Sequence, residues 1–341
     1  MADGPSNQKV IIGQQSVAQP SHKTRMESFH YNFTACCFVF PFSFVHTQKV
    51  FTKPTATTTM VHKTQTIDEI LNIDTRDLYL EMKGMQGDYV SPKTYNPSAS
   101  YLSFRRYLVD WMTSIGETFR LHESTIHVSV LFLDKILRSR NDIPRGQWQL
   151  LATACISLAA KYEEAEEHCP HIPDLLRVTK LSAVGHTSLS FREGELEVLK
   201  LLNWKLRAVP AIHFVGYFAA KNVVFADDRW HNRAPLCKVA ASIEKFGTFF
   251  ANLSLQQYEF SQYYPSHLAA AIVLASRVAV KIEPQWREEL TKLTGYDRSD
   301  IDVCFRHIWH CYASQFPNHV TQYRSVSPRS VVVTPTANYR M

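Results

Sequence analysis

A chain of 341 residues, 45% hydrophobic with only 11 glycines, exceeds what one hydrophobic core usually organises and lacks the glycine that turn-rich β-structure consumes. Its formal charge of +6 sits in the flanks: residues 1–66 carry six Lys/Arg against two Asp/Glu, residues 317–341 carry three Arg and no acid, and the span between sums to −1. This excludes a core with the clustered Lys and Arg of a phosphate-binding protein and makes a two-domain, all-α chain with tails the first expectation.

Residues 1–65 are rich in Gln, Ser, Thr, His and Lys without periodicity, and read as a disordered head. Its longest apolar run, Phe33 to Val45, is interrupted by Pro41 and is shorter than the ~20 residues of a spanning helix, so no membrane partner is expected. Seven cysteines, with an adjacent pair Cys36-Cys37 and no C-x-x-C spacing, suit a reduced, intracellular setting. From residue 66 to 100 an N-terminal helical segment and linker are expected. Ile67, Ile70, Leu71, Leu78, Leu80 and Met82 suggest one helix, or two short ones, before the breakers Gly84 and Gly87, and a Pro/Ser/Asn linker follows over 91–100.

Between 101 and 207 the spacing predicts five helices. The first, over 102–119, places Phe104, Tyr107, Leu108, Trp111, Met112, Ile115 and Phe119 at three- and four-residue steps; the second spans about 124–139. The third, about 147–162, is apolar or small nearly all round, so it should be surrounded by others. A short fourth lies near 173–179, and a fifth begins at a capping box, Ser190-x-x-Glu193.

From 208 to 316 the arrangement recurs, with helices over 212–220, 236–252, 267–280, 284–293 and 299–312. The third helix of each set has the same composition: LLATACISLAAK from Leu150 to Lys161, LAAAIVLASRVAV from Leu268 to Val280. Residues 317–341 read as a disordered basic tail.

The segment Phe104-Arg105-Arg106-Tyr107-Leu108-Val109-Asp110-Trp111 resembles the opening of the cyclin box. The likeness continues through Phe132-Leu133-Asp134-Lys135, Pro144-Arg145-Gly146-Gln147-Trp148-Gln149-Leu150, Leu158 to Glu164 and Leu199 to Trp204. In the second half, Leu253-Ser254-Leu255, Tyr264-Pro265-Ser266 and Leu293-Thr294-Gly295-Tyr296 are similar to the second cyclin fold. Five ordered motifs identify a member of the cyclin family, most like the J type in Leu102 to Tyr107 and Ser254 to Tyr258, with the Asp-Trp pair of A- and B-type members. The resemblance implies two tandem five-helix cyclin folds over roughly 67–316.

It also implies roles. Arg105 and Asp134, on consecutive helices, match a buried ion pair that holds helix one to helix two; two solvated surface charges are the alternative. Lys161 and Glu195 are by periodicity ordinary helix-end charges, expected on the surface. In cyclins the matching residues contact a cyclin-dependent kinase, and Leu158, Tyr162, Leu199, Trp204 and Leu206 match the apolar groove beside them. Phe104, Tyr107, Leu108, Trp111, Ser114 and Gln149 match the substrate-docking patch that takes Arg-x-Leu peptides. Larger aromatics and Ser114 in place of a glutamate should weaken such binding, and Phe104 and Tyr107 could instead pack inward.

The implied function is that of a non-catalytic subunit that forms a heterodimer with a cyclin-dependent kinase and activates it in cell-cycle control, with kinase substrates or inhibitors as further partners and an intracellular location, the nucleus by resemblance with the cytoplasm as the alternative. No nucleic-acid partner and no cofactor are implied. No metal site is expected either: His168-Cys169-Pro170-His171 offers three ligands on one loop but no distant second half. No H-E-x-x-H, G-x-S-x-G or phosphate loop points to catalysis. The rival readings are a transcription-type cyclin and a tandem cyclin-fold transcription factor, the latter opposed by the acidic core.

Overall fold

The structure, a computed structural model, describes residues 68, 74–94, 100–230 and 235–317. The expectations for the head, including its apolar run, and for the tail from 318 onward fall outside these residues.

Eleven α-helices run through the described residues: α1 Arg76–Met85, α2 Ser100–Phe119, α3 Glu123–Ser139, α4 Trp148–Glu163, α5 Ile172–Val178, α6 Ser188–Leu201, α7 Ala211–Ala220, α8 Leu236–Leu255, α9 Pro265–Val280, α10 Glu288–Thr294 and α11 Arg298–Gln315. The fold is all-α, two tandem five-helix bundles preceded by α1. A two-residue antiparallel pair, β1 Arg229–Trp230 with β2 Ile282–Glu283, sets Arg229 opposite Glu283.

Composition explains which helices sit in the middle. α4 is buried without interruption from Leu151 to Ala160, and α9 from Leu268 to Arg277. Each is rich in alanine, whose small side chain lets neighbours close in from every side and costs no rotamer entropy. α4 is packed by α2, α3 and α6; α9 by α7, α8 and α11. Two separate apolar cores result, one around Met112, Phe132 and Phe191, the other around Phe214, Phe218 and Phe250.

Both bundles use glycine where their first two helices cross. A Cβ on Gly116 of α2 would stand 2.6 Å from Ile126 of α3, and one on Gly247 of α8 would stand 2.9 Å from Val215 of α7. Neither distance leaves room for a Cβ unless the facing side chain or its helix shifts.

α1 packs on the second bundle, against α7. Buried Tyr79 stacks on Tyr217 at 5.3 Å, and its hydroxyl donates to the Thr294 carbonyl at 2.7 Å. The 3-10 turn Gln86–Tyr89 then carries Tyr89 into the first core, where its ring meets Phe132 and its hydroxyl donates to the Lys205 carbonyl. Gly84 and Gly87 therefore do not end the helical segment as expected. Gly84 lies inside α1 and Gly87 inside the turn, because packing of Tyr79, Met82 and Met85 outweighs a glycine penalty of about 1 kcal/mol.

Two other boundaries differ from expectation. The cap of α6 is Thr187, with Ser190 as its third residue: Thr187 Oγ1 accepts from Ser190 N at 3.2 Å and Ser190 Oγ from Thr187 N at 2.9 Å. A serine can serve at either end of such a box, which is why spacing alone misplaced it. α10 starts at Glu288 rather than near 284, because the carbonyls of Pro284 and Gln285 are taken by Arg277 at 2.6 and 3.1 Å.

Candidate functional site

Arg105 and Asp134 form the buried pair. Arg105 Nε donates to Asp134 Oδ1 at 2.8 Å and Nη2 to Oδ2 at 2.9 Å, with both side chains 3% exposed. Tyr101 donates its hydroxyl to the same carboxylate, and the remaining guanidinium nitrogen, Nη1, donates to the Leu255 carbonyl at 3.0 Å. The alternative of two solvated charges is excluded. Burial and the neighbouring Asp134 charge raise the Tyr101 pKa well above its ordinary value, so its hydroxyl stays a donor. The pair holds α2 to α3 and, through Leu255, to the end of α8.

The bundles touch at a second polar point. Buried His127 of α3 donates from Nε2 to Asn252 Oδ1 of α8 at 2.8 Å, and Asn252 Nδ2 donates to Glu123 Oε2 at 3.0 Å. Burial, the largest cause, pushes the His127 pKa down to about 4, with nearby His213 acting in the same direction and the Asn252 bond opposing.

Lys161 closes the last turn of α4 and Glu195 lies midway along α6; Lys161 Nζ meets Glu195 Oε1 at 2.5 Å. Only Lys161 fits the expected surface position, with 47% of its side chain exposed. The Glu195 side chain is 9% exposed, because α6 packs closely on α4. The segment after Lys161 is tethered twice. Glu164 Oε1 accepts from His122 N and Thr125 Oγ1, both at 2.6 Å, and Glu163 lies 3.3 Å from His213 Nε2 of α7.

Around this pair the predicted groove residues divide. Tyr162 is 48% and Trp204 64% exposed. Leu199 and Leu206 are half-buried, their inner faces on the first core, whereas Leu158 belongs to that core. Trp204 is held out by its backbone: Asn203 and Trp204 adopt φ of +52° and +59°, a left-handed pair that non-glycine residues seldom form. Leu189, which sequence periodicity did not single out, and Leu196, read from the sequence as part of the helix's apolar run, add exposed apolar surface on one face of α6.

On α2 the docking-patch residues also divide. Tyr107 is 59% exposed, Ser114 is exposed, and Phe104, Leu108 and Trp111 are half-buried against the first core. Packing inward is thus true of Phe104 in part and untrue of Tyr107. Gln149 is occupied, its Nε2 donating to the Thr179 carbonyl at 2.7 Å at the end of α5. The guanidinium carbon of Arg145 stands 3.1 Å from the centre of the Phe104 ring.

Sequence reasoning missed one buried charge cluster. Arg277, fully buried in α9, donates to both carboxylate oxygens of Asp228 at 2.8 and 2.9 Å and to the Val223 carbonyl at 2.6 Å. Arg287 joins it at 3.0 Å from Asp228. The signal was present: Arg277 is the one charge in an otherwise apolar run from Leu268 to Val280. Among the described residues, no group of His, Cys, Asp and Glu could hold a metal ion, and no helix is long and apolar enough to cross a membrane. Cys169 of the His168–His171 loop instead points its thiol at the Ala160 carbonyl, 3.5 Å away.

Compared with known proteins, residues 77–207 match the family profile "Cyclin, N-terminal domain" and residues 211–334 match "Cyclin, C-terminal domain". The chain is 28% identical over 240 residues to Cyclin-J of Xenopus laevis, covering 67% of this chain and 62% of that protein. It is 26% identical over 270 residues to the G2/mitotic-specific cyclin-A of Drosophila melanogaster, covering 75% and 50%. The aligned part thus spans little more than half the length of these relatives. Among solved structures it is similar to a viral cyclin from herpesvirus saimiri, with TM-score 0.51, 18% identity, and 73% of this chain and 98% of that one covered. That likeness speaks for the fold alone.

Proposed function

The chain belongs to the cyclin family, with both of its domains matched, and from that premise we propose that it is a regulatory subunit that binds and activates a cyclin-dependent kinase in cell-cycle control. The observation that carries the reading is the Lys161–Glu195 pair at the junction of α4 and α6, bordered by outward-facing Tyr162 and Trp204. A half-exposed charge beside exposed aromatics is how a protein interface concentrates binding energy.

Kinase catalysis needs its own Lys–Glu pair and its magnesium-binding Asp in place, and a mobile helix governs the first. A partner that binds only the active placement of that helix shifts the population toward it without performing chemistry. The tethers from Glu163 to α7 and from Glu164 to the start of α3 keep this surface from yielding when the kinase docks. Lys161 then offers its ammonium, and Glu195 its second carboxylate oxygen, to main-chain groups of the partner.

The test is affinity purification of the full chain from dividing cells, followed by a phosphorylation assay of the recovered complex. Recovery of a cyclin-dependent kinase whose activity rises on adding purified chain supports the reading. Purified chain that neither binds nor stimulates any such kinase, or that transfers phosphate alone, refutes it.

A further inference from the structure

We propose that Lys135, Arg138 and Lys205 form a phosphate-binding site for a phosphorylated segment of a partner protein. Lys135 and Arg138 stand one turn apart on the same face of α3, and Lys205 follows the end of α6. The first two are positioned by neutral groups. The Lys135 ammonium lies 4.2 Å from the centre of the Tyr89 ring, and Arg138 Nη1 donates to Ser91 Oγ at 2.5 Å. Ser91 is itself buried and tied to the second bundle: its N–H donates to the Ser261 carbonyl at 2.8 Å, and its Oγ accepts from Ser261 Oγ at 2.9 Å. Among the described residues no carboxylate lies within ion-pair distance of Lys135 or Arg138. By contrast Arg140, Arg177 and Arg298 are each held by an aspartate. A cation fixed by a ring or a hydroxyl keeps its charge uncommitted.

The three cations are close enough to repel. Burial, the largest cause, lowers the Lys135 pKa; Asp88 opposes it, and Lys205 and Arg138 lower it further. Asp88, well exposed and 4.0 Å from Lys205, is the single acid acting there. Three cations against one carboxylate leave a surplus of two charges, which a dianionic phosphate with three acceptor oxygens matches and a lone carboxylate does not. Exposed Lys93, two residues beyond Ser91, has the same sign. The other acids at this end of the first bundle are engaged: Asp142 pairs with Arg140 at 2.8 Å, Glu197 acts on the same guanidinium, and Glu81 lies 3.2 Å from Arg207.

Those same pairings set the size of the ligand. With Arg140 and Arg207 already neutralised on either side, the free charge is one anion wide, which disfavours a polyanion such as a nucleic acid or a lipid surface. Lys205 is followed in the chain by half-buried Leu206 and preceded by Trp204, 64% exposed, so an apolar side chain next to the anion also finds a contact. A single phosphorylated residue with an apolar neighbour meets both conditions. The site borders the groove at Trp204, but binding there is measured without a kinase, so it stands or falls separately from the proposed function.

Fluorescence anisotropy on the full chain decides it, using a labelled degenerate peptide pool with phosphothreonine at its fixed centre and twin pools with Thr or Glu there. At low salt the phosphothreonine pool should bind at least about ten-fold more tightly than either twin, with the advantage shrinking as salt is raised. Lys205→Glu, at an exposed position, should abolish the preference and leave the melting temperature in place, and Arg138→Gln, which keeps a donor for Ser91, should weaken it. Asp88→Asn removes the internal competitor and should tighten the phosphothreonine pool by about three-fold or more, a gain that a merely structural cluster would not give. The proposal is overturned by equal affinities of the pools, by binding of none, by Lys205→Glu leaving the preference intact, or by Asp88→Asn failing to tighten it. Inorganic phosphate that displaces the pool at equal concentration would give the site to the free ion. Tighter binding of phosphatidylserine vesicles or duplex DNA would give it to a polyanion, and each of these results equally overturns the proposal.

Discussion

Lys161 Nζ stands 2.5 Å from Glu195 Oε1, yet the two ends of this contact lie in different surroundings, the lysine side chain 47% exposed and the glutamate 9%. Removing either end is therefore unequal. Lys161→Ala strands a nearly buried carboxylate and should lower stability by about 1–2 kcal/mol, whereas Glu195→Gln keeps a hydrogen bond and should cost under about 1 kcal/mol. Urea midpoints of the two variants check the order. Glu195→Lys, which would press two ammonium groups together with one of them buried, should unfold the α4–α6 junction and is a poor probe of binding.

Tyr162→Ala and Trp204→Ala test the groove more cleanly, since both residues are well exposed, at 48% and 64%. Each should leave thermal melting within a degree or two and weaken kinase capture by about ten-fold or more. Calorimetric titration against the recovered kinase measures it. Leu158→Ala should behave differently, lowering stability by about 2–4 kcal/mol as a core truncation.

Asp228 holds two guanidinium groups, Arg277 and Arg287. Asp228→Ala should be among the most damaging single changes in the second bundle, at about 3–5 kcal/mol, because it leaves Arg277 buried without its counter-charge. Arg287→Ala, on the rim of the cluster, should cost clearly less. Thermal unfolding followed by circular dichroism separates the two.

Acid should loosen the joint between the bundles. In the fold the His127 pKa is pushed down to about 4, against an ordinary value of 6.5. The unfolded chain thus takes a proton in a range where the folded chain does not, so the contribution is complete above pH 6.5 and is lost as pH falls toward 4. The expected loss by pH 5 is about 2 kcal/mol. Urea titrations at pH 7.5 and pH 5 measure it, and His127→Gln, which keeps a donor for Asn252, should remove most of the difference.

Gly116→Ala should cost about 1–3 kcal/mol by forcing the Ile126 side chain or α2 to shift. Shortening the obstacle tests the cause. Ile126→Val in the same chain should recover part of the loss in melting temperature.

The alanine-rich middles of α4 and α9 could be read directly, because a helix that is small and apolar on every side has one place to go. The cyclin-box motifs in turn led to the Arg105–Asp134 pair. Asp228 could not be found this way: its partner Arg277 is 49 residues along the chain, and a loop aspartate carries no periodicity to announce burial. Glu195 shows the converse limit. Periodicity treats a helix-end charge as solvated, but how closely α6 lies on α4 decides whether water reaches it. The start of α10 differs for another reason: Arg277, only seven residues before Pro284 but buried in α9, takes the carbonyls of Pro284 and Gln285, and spacing gives no sign of that side chain turning back on the loop.

Arg105 reaches past its own bundle to the Leu255 carbonyl, and this bears on any attempt to treat the two halves as exchangeable cassettes. A fragment cut just after residue 208 would keep the buried side chains of the first core but lose Leu255, which packs against it, and would leave one arm of a buried guanidinium with no acceptor. Grafting in a second bundle from elsewhere succeeds only if its second helix ends with a carbonyl at the same spot. The two bundles are thus matched to one another at this carbonyl and at the His127–Asn252 contact, and a replacement second bundle would have to supply both.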